Sequence, residues 1–152
     1  MRHPIYTPPS GPPQVSAPRL FEKTGEANLI RLSENFYNLL SRSDIANLFP
    51  QEPDALQAAA HKQADFLIGI LGGPPRFQEK HGPPRMRARH LPFSIDASAR
   101  KVWLQCFQTA LGDGSDFGLT PKESTLLLEW LEAFSAWMVN APPDPNLPPE
   151  AN

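Results

Sequence analysis

A chain of 152 residues with 14 Lys or Arg, 16 Asp or Glu, a net charge of −2 and a single cysteine has room for one domain. The near-balanced charge argues against a nucleic-acid partner, and Cys106 alone excludes an internal disulfide or a cysteine metal cluster. The most apolar run, Leu126 to Val139, is interrupted by Glu129 and Glu132 and is no membrane span; the first twenty residues lack the apolar core of a secretory signal, so a cytoplasmic protein is expected.

Of the 19 prolines, six precede Phe21 and five follow Ala141. Residues 1–21 and 141–152 therefore read as proline-rich tails, extended or disordered, with too little apolar surface to offset the entropy of ordering them. Residues 22–140 read as one all-α domain. In Glu26 to Ser41 the residues Leu29, Ile30, Leu32, Phe36, Tyr37, Leu39 and Leu40 recur at helical spacing. A short piece from Ser43 to Phe49 stops at Pro50. Pro53 to Leu71 predicts a helix with Ala59, Gln63, Phe66, Leu67 and Ile70 on one stripe, ended by Gly72-Gly73-Pro74-Pro75. Arg76 to Arg89 shows little periodicity and reads as a long loop, of the kind that usually carries function. Asp96 predicts an N-cap for a helix to Leu111, with Val102, Trp103, Cys106, Phe107 and Ala110 inward; in that setting Cys106 reads as a buried, inert thiol. Gly112 to Gly118 is a turn. Thr120-Pro121-Lys122-Glu123 opens a last helix, to about Asn140, with a cap, a first-position proline and a capping-box glutamate.

His90 stands in the segment Arg85-Met-Arg-Ala-Arg-His-Leu-Pro-Phe-Ser-Ile95, walled by Met86, Phe93 and Ile95 and surrounded by arginines. An imidazole so placed can coordinate a flat, apolar metal cofactor that also bears carboxylates, a description that haem fits. On the histidine alone, a structural imidazole bonded to a carbonyl is an equal reading. From Arg76 to Lys101 seven Lys or Arg face only Glu79 and Asp96. This basic stretch suits phosphate, an acidic partner or a ligand's carboxylates, or it is simply a solvated loop; it lacks the interleaved aromatics of a nucleic-acid stacking platform.

Five segments, in order, carry a resemblance to a known family. They are Phe36-Tyr37, Phe49-Pro50, Phe66-Leu67 followed by Gly72-Gly73-Pro74, the run from His81-Gly82 through Pro84-Arg85-Met86-Arg87, Arg89-His90, Pro92-Phe93 and Ile95, and Trp103-Leu104 with Cys106. Together they resemble the group II truncated haemoglobins over roughly residues 28 to 140. The resemblance implies a truncated globin fold, a two-over-two helical sandwich, around haem b (iron protoporphyrin IX). By position, His90 resembles the proximal iron ligand, Tyr37 the distal tyrosine, Trp103 the distal tryptophan and Phe49 the aromatic residue at the helix corner. Ala59 falls at the distal gate, and Gln63 stands where the family usually has leucine. The segment Gln51 to Gln57 is two residues longer than usual, with Phe66 anchoring the register beyond it. Phe66, Phe77, Met86, Phe93 and Ile95 join the implied haem contacts, and Lys62, Arg85 and Arg89 are placed to reach its propionates. His61, about 200° around the helix from Ala59, should face away. His3 and His81 have no visible role.

Dioxygen held in such a pocket carries partial negative charge on its outer atom, so the Tyr37 hydroxyl, the Trp103 indole N–H and the Gln63 amide would slow its release, at about 1 kcal/mol for each good bond. The resemblance therefore implies a haem protein that reversibly binds dioxygen and other diatomic ligands, as a monomer or homodimer. The alternative is a haem redox enzyme, a nitric oxide dioxygenase or a peroxidase-like catalyst, supplied by an unidentified reductase; the ligand-binding role is the better fit. A haemless interaction module using the basic loop and the proline tails is the third class.

Overall fold

The structure is a computed structural model and describes residues 19–142; residues 1–18 and 143–152, with most of what was expected of the tails, lie outside the described residues. All regular elements among the described residues are helical: α1 (Phe21–Leu40), α2 (Pro53–Ile70), α3 (Arg76–His81), α4 (Met86–His90), α5 (Ala97–Leu111) and α6 (Pro121–Met138), with single 3₁₀ turns at Ala46–Leu48 and Ser115–Phe117.

The long helices begin and end where local chemistry requires. Asp96 accepts a hydrogen bond from the Ala99 amide at 2.8 Å and starts α5. At α6 the Thr120 hydroxyl accepts from the Glu123 amide while Glu123 accepts from the Thr120 amide, with Pro121 at the first helical position. The first helix starts earlier than expected. Leu20 is 5 % exposed, the Phe21 amide donates to the Leu71 carbonyl at 3.0 Å, and the chain passes into the main part of α1 through a kink at Gly25, whose φ of 71° only glycine adopts freely. Gly73 lets this entry pack, because a Cβ there would lie within 2.8 Å of the Phe21 ring and 2.7 Å of Ile68. The folded unit thus reaches two residues into the segment read as a tail, because Leu20 and Phe21 find apolar partners across α1 and α2.

The stretch read as a long loop holds two helices, α3 and α4. Each is under two turns long, too short for a 3.6-residue period to register in the sequence, and each is held by contacts from elsewhere. Phe77 is 2 % exposed against Phe66, and the Lys80 ammonium pairs with buried Asp65 of α2 at 3.1 Å.

Two helix pairs make the core: α1 packs on α2, α5 packs on α6, and aromatic rings join the pairs. Phe36, fully buried on α1, meets Trp103 and Phe107 of α5 edge-on at 5.3 and 5.0 Å. Phe66 of α2 lies 5.4 Å from Phe134 of α6. Each fully buried Leu or Phe contributes roughly 1.5–3 kcal/mol by leaving water. One polar atom in this core, the Ser33 hydroxyl oxygen, has no hydrogen-bond partner among the described residues. This is the two-over-two sandwich, and what positions a site in it is the space left where the layers part.

Candidate functional site

That space is a cleft of about 320 Å³ to which every helix contributes. Helical spacing on α2 turns Ala59, Lys62, Gln63 and Phe66 into it, and α1 adds Tyr37 one residue beyond the core Phe36. The 3₁₀ turn and the proline after it bring Ile45, Leu48, Phe49 and Pro50. Phe77 and Met86 supply buried apolar wall, α4 presents Arg89 and His90, and the connection to α5 adds Phe93 and Ile95. Trp103 completes the wall from α5.

Of the residues singled out from sequence as cofactor or ligand contacts, all but Arg85 line one cavity: His90, Phe49, Lys62, Phe66, Phe77, Met86, Arg89, Phe93, Ile95, Trp103, Tyr37, Ala59 and Gln63. His61 is not among them; it projects from the exposed side of α2, 3.7 Å from Glu34. Arg85 is exposed and also outside the cleft, at a left-handed φ of 38° that starts α4. His81 lies 4.0 Å from Asp65 and packs on the Phe77 ring at 5.0 Å, which makes it part of the α2–α3 anchorage. Cys106 is half-buried beside the core, where burial raises its thiol pKa.

The polar groups of the cleft divide by whether the protein already uses them. The His90 Nδ1 lies 2.7 Å from the Met86 carbonyl oxygen, one helical turn back, so Nδ1 carries the proton and donates. Nε2 is then the unprotonated nitrogen, with its lone pair available to a metal. Burial lowers the imidazole's pKa from its ordinary value; the carbonyl bond opposes this, and the cations of Lys62 and Arg89 reinforce it. The ring is neutral at pH 7. Tyr37, by contrast, has its phenol pKa pushed up to about 12 by burial, so it keeps its proton as a donor. Its ring stands edge-on to Phe36 and Phe49 at 5.5 and 5.6 Å, which holds its orientation by packing alone. The Tyr37 hydroxyl, the Gln63 amide and the Trp103 indole N–H have no hydrogen-bond partner among the described residues.

Arg89 is committed differently from the expectation. Its Nε donates to the Pro84 carbonyl at 2.7 Å and one terminal nitrogen to those of His81 and Pro83 at 2.7 and 2.9 Å, over the Phe77 ring. It braces the α3–α4 turn, and Lys62, exposed and without a carboxylate partner among the described residues, is the freer cation at the cleft. Sequence reasoning missed further lining residues. Arg100 donates to the Ser135 hydroxyl at 3.0 Å and the Glu132 carbonyl at 2.9 Å, tying α5 to α6 beside the cleft. Phe134 and Met138 line the cleft from α6; Arg100 sits in the basic stretch, but nothing local announces its partners 32 and 35 residues away.

No group of three or more His, Cys, Asp or Glu that could hold a metal ion occurs among the described residues, so the donor set is one imidazole in an apolar, cation-flanked slot. That suits a cofactor that brings most of its own metal ligands. Nor is any helix of the described residues long and apolar enough to cross a membrane.

Residues 19–140 match the family of bacterial-like globins. The chain is 38 % identical over 120 residues to the group 2 truncated hemoglobin YjbI of Bacillus subtilis (strain 168), covering 79 % of this chain and 87 % of that one. The group II truncated hemoglobin from Bacillus anthracis superposes with a TM-score of 0.74 at 34 % identity, over 88 % of this chain and 98 % of that one. Phosphate-bound Hell's gate globin IV superposes with a TM-score of 0.77 at 36 % identity, over 87 % and 82 % of the two chains.

Proposed function

The chain belongs to the bacterial-like globins, as a truncated haemoglobin of group II, and from that premise we propose that it binds haem b through His90 and reversibly takes up dioxygen in the cleft. The observation that carries this reading is one cavity holding both a neutral imidazole, with Nδ1 tied to Met86, and three hydrogen-bond donors that the protein does not otherwise engage. The residues present fit the group: aromatic and aliphatic walls for a flat apolar ring, one imidazole for its metal, and Lys62 for a carboxylate. When bound, haem supplies an iron centre with affinity for diatomic gases.

The rest is done by the chain. The Met86 carbonyl fixes the His90 tautomer and ring direction and raises the basicity of Nε2. Phe49 and Phe66 exclude water and lower the local dielectric, which strengthens whatever hydrogen bonds form inside. Tyr37, Gln63 and Trp103 donate toward the charge on a diatomic guest, and because Tyr37 stays protonated it does so across the physiological pH range. Carbon monoxide carries less charge on its outer atom and gains less from the same donors. The reading extends to a cytoplasmic protein, monomer or homodimer, with an unidentified reductase restoring the ferrous state.

The test is spectroscopic. Purified protein should show a Soret band, and the His90→Leu variant should lose the protein–iron bond, with a marked change in the ferrous carbon monoxide spectrum. An unchanged spectrum in that variant removes His90 as the ligand. Autoxidation of the oxygenated protein over hours, with slow consumption by nitric oxide, is the result expected of a ligand carrier; rapid turnover with nitric oxide would make it an enzyme.

A further inference from the structure

His90 stands on a helix of five residues, too short to hold its own shape, and is followed by a turn through Leu91, Pro92 and Phe93, in which the Phe93 amide donates to the His90 carbonyl at 2.9 Å, before the chain runs on to α5. The bonds that tie this connection to the rest of the fold centre on one side chain, 50 residues from His90. Asn140, just past the end of α6, donates through Nδ2 to the carbonyl of His90 at 3.1 Å and to that of Phe93 at 3.0 Å. Its Oδ1 accepts from the Ile95 amide at 2.9 Å. The backbone closes the same joint, since the amides of Asn140 and Ala141 both donate to the Ile95 carbonyl at 2.9 and 3.1 Å. Arg87 adds a bond from Nε to the Trp137 carbonyl at 3.0 Å.

We propose that Asn140 is the positioning residue for the proximal histidine: its carboxamide locks the peptide groups of His90, Phe93 and Ile95 and so sets where the His90 imidazole stands in the cleft. The chemistry selects the side chain. Two carbonyls and one N–H must be met from one point, which demands two donors and one acceptor on a short, rigid stem. Asparagine supplies that set. Aspartate offers no donor and places negative charge against two carbonyl oxygens; serine offers one donor; alanine offers nothing. The residue is then held at side chain and backbone, with Met86 gripping Nδ1 and Asn140 gripping the His90 carbonyl. Phe93, whose ring lies 6.4 Å from that of His90, and Ile95 line the cleft as well, so the same carboxamide sets three wall residues at once. Asn140 itself does not line the cleft, so it acts only through the residues that do.

The inference rests on the proposed role of His90, and the experiment separates the two. Resonance Raman spectra of the ferrous protein report the iron–histidine stretching band, and His90→Gly provides the reference. In Asn140→Asp and Asn140→Ala the band should shift and broaden, and haem transfer to an excess of apomyoglobin should speed up roughly tenfold for one or two lost hydrogen bonds. The carbon monoxide stretching frequency, governed by the distal donors, should stay put. If either variant does not fold, the wild-type carbon monoxide form still decides: the Asn140 side-chain amide protons should exchange slowly and show through-bond coupling to the His90 and Phe93 carbonyl carbons. A wild-type band surviving in His90→Gly would remove the ligand assignment itself. A band lost in His90→Gly but unchanged in position and width in the Asn140 variants, or fast-exchanging, uncoupled amide protons in the wild type, would leave that assignment standing and overturn the positioning role.

Discussion

The two walls of the cleft are held by different forces. On the Tyr37 side the functional groups sit on long helices, and their rings are steered by other rings: Phe36 touches Tyr37, Trp103 and Phe107, and Tyr37 touches Phe49. Almost no hydrogen bond fixes them, which leaves their polar atoms free for a guest. On the His90 side the elements are a six-residue and a five-residue helix joined by prolines, and hydrogen bonds to backbone carbonyls do the holding, from Arg87, Arg89 and Asn140. A wall that must present unsatisfied donors is built by packing, because packing consumes no donors. A wall of short helices that must hold one ring in a fixed pose adds directional bonds to the packing of Phe77 and Met86.

The largest effect should come from breaking the packed wall at its centre. Phe36→Ala removes a fully buried ring shared by Tyr37, Trp103 and Phe107, and should lower stability by about 3–5 kcal/mol in urea unfolding. Dioxygen release should also quicken as Tyr37 and Trp103 lose their common support. A loss below about 1 kcal/mol would mean that the rings are held by something other than Phe36.

Tyr37→Phe removes only the donor, while Trp103→Phe removes the indole N–H together with part of the ring that packs on Phe36 and Phe107. Each should speed dioxygen release roughly 5- to 30-fold in stopped-flow measurements, the equivalent of about 1–2 kcal/mol, and the double variant should fall short of additivity because both donors serve one guest. Carbon monoxide release should change much less. Parallel changes for the two gases would mean that the substitutions act by shape.

The smallest effect is on the hydrogen-bonded wall and depends on pH. Burial keeps the folded His90 pKa below the ordinary 6.5, so as pH falls through that value the unfolded chain takes up a proton that the folded, haem-free protein refuses. This residue's share of stability is therefore present above pH 6.5 and declines as pH drops below it. The haem-free wild type should lose stability between pH 7 and pH 5 more steeply than His90→Leu. Equal slopes would show that His90 is free to protonate in the folded state.

The fold was legible because four long helices each span several turns, so their apolar stripes, caps and stops repeat often enough to be read. Asp96, Thr120 and Glu123 act as the local pattern predicts. The site was legible because its residues fall within segments shared with a family, and helical spacing then turns Ala59, Gln63 and Phe66 to one side. What was misread lay between the long helices. Arg76 to Arg89 looked like a loop because α3 and α4 are each shorter than the pattern that would reveal them, and Arg89 looked free for a ligand's carboxylate because its carbonyl partners carry no side-chain signal.

By itself the sequence determined the helical class and the capped starts of α5 and α6, since each depends on residues within a turn or two of one another. Tertiary structure alone decided the rest: that Arg89 is spent on carbonyls, that Arg100 reaches α6, that Leu20 belongs to the core, and that Asn140 grips the chain around His90. Hydrogen bonds between residues 50 apart leave no periodicity in the chain, and their strength depends on directions that exist only once the layers have packed.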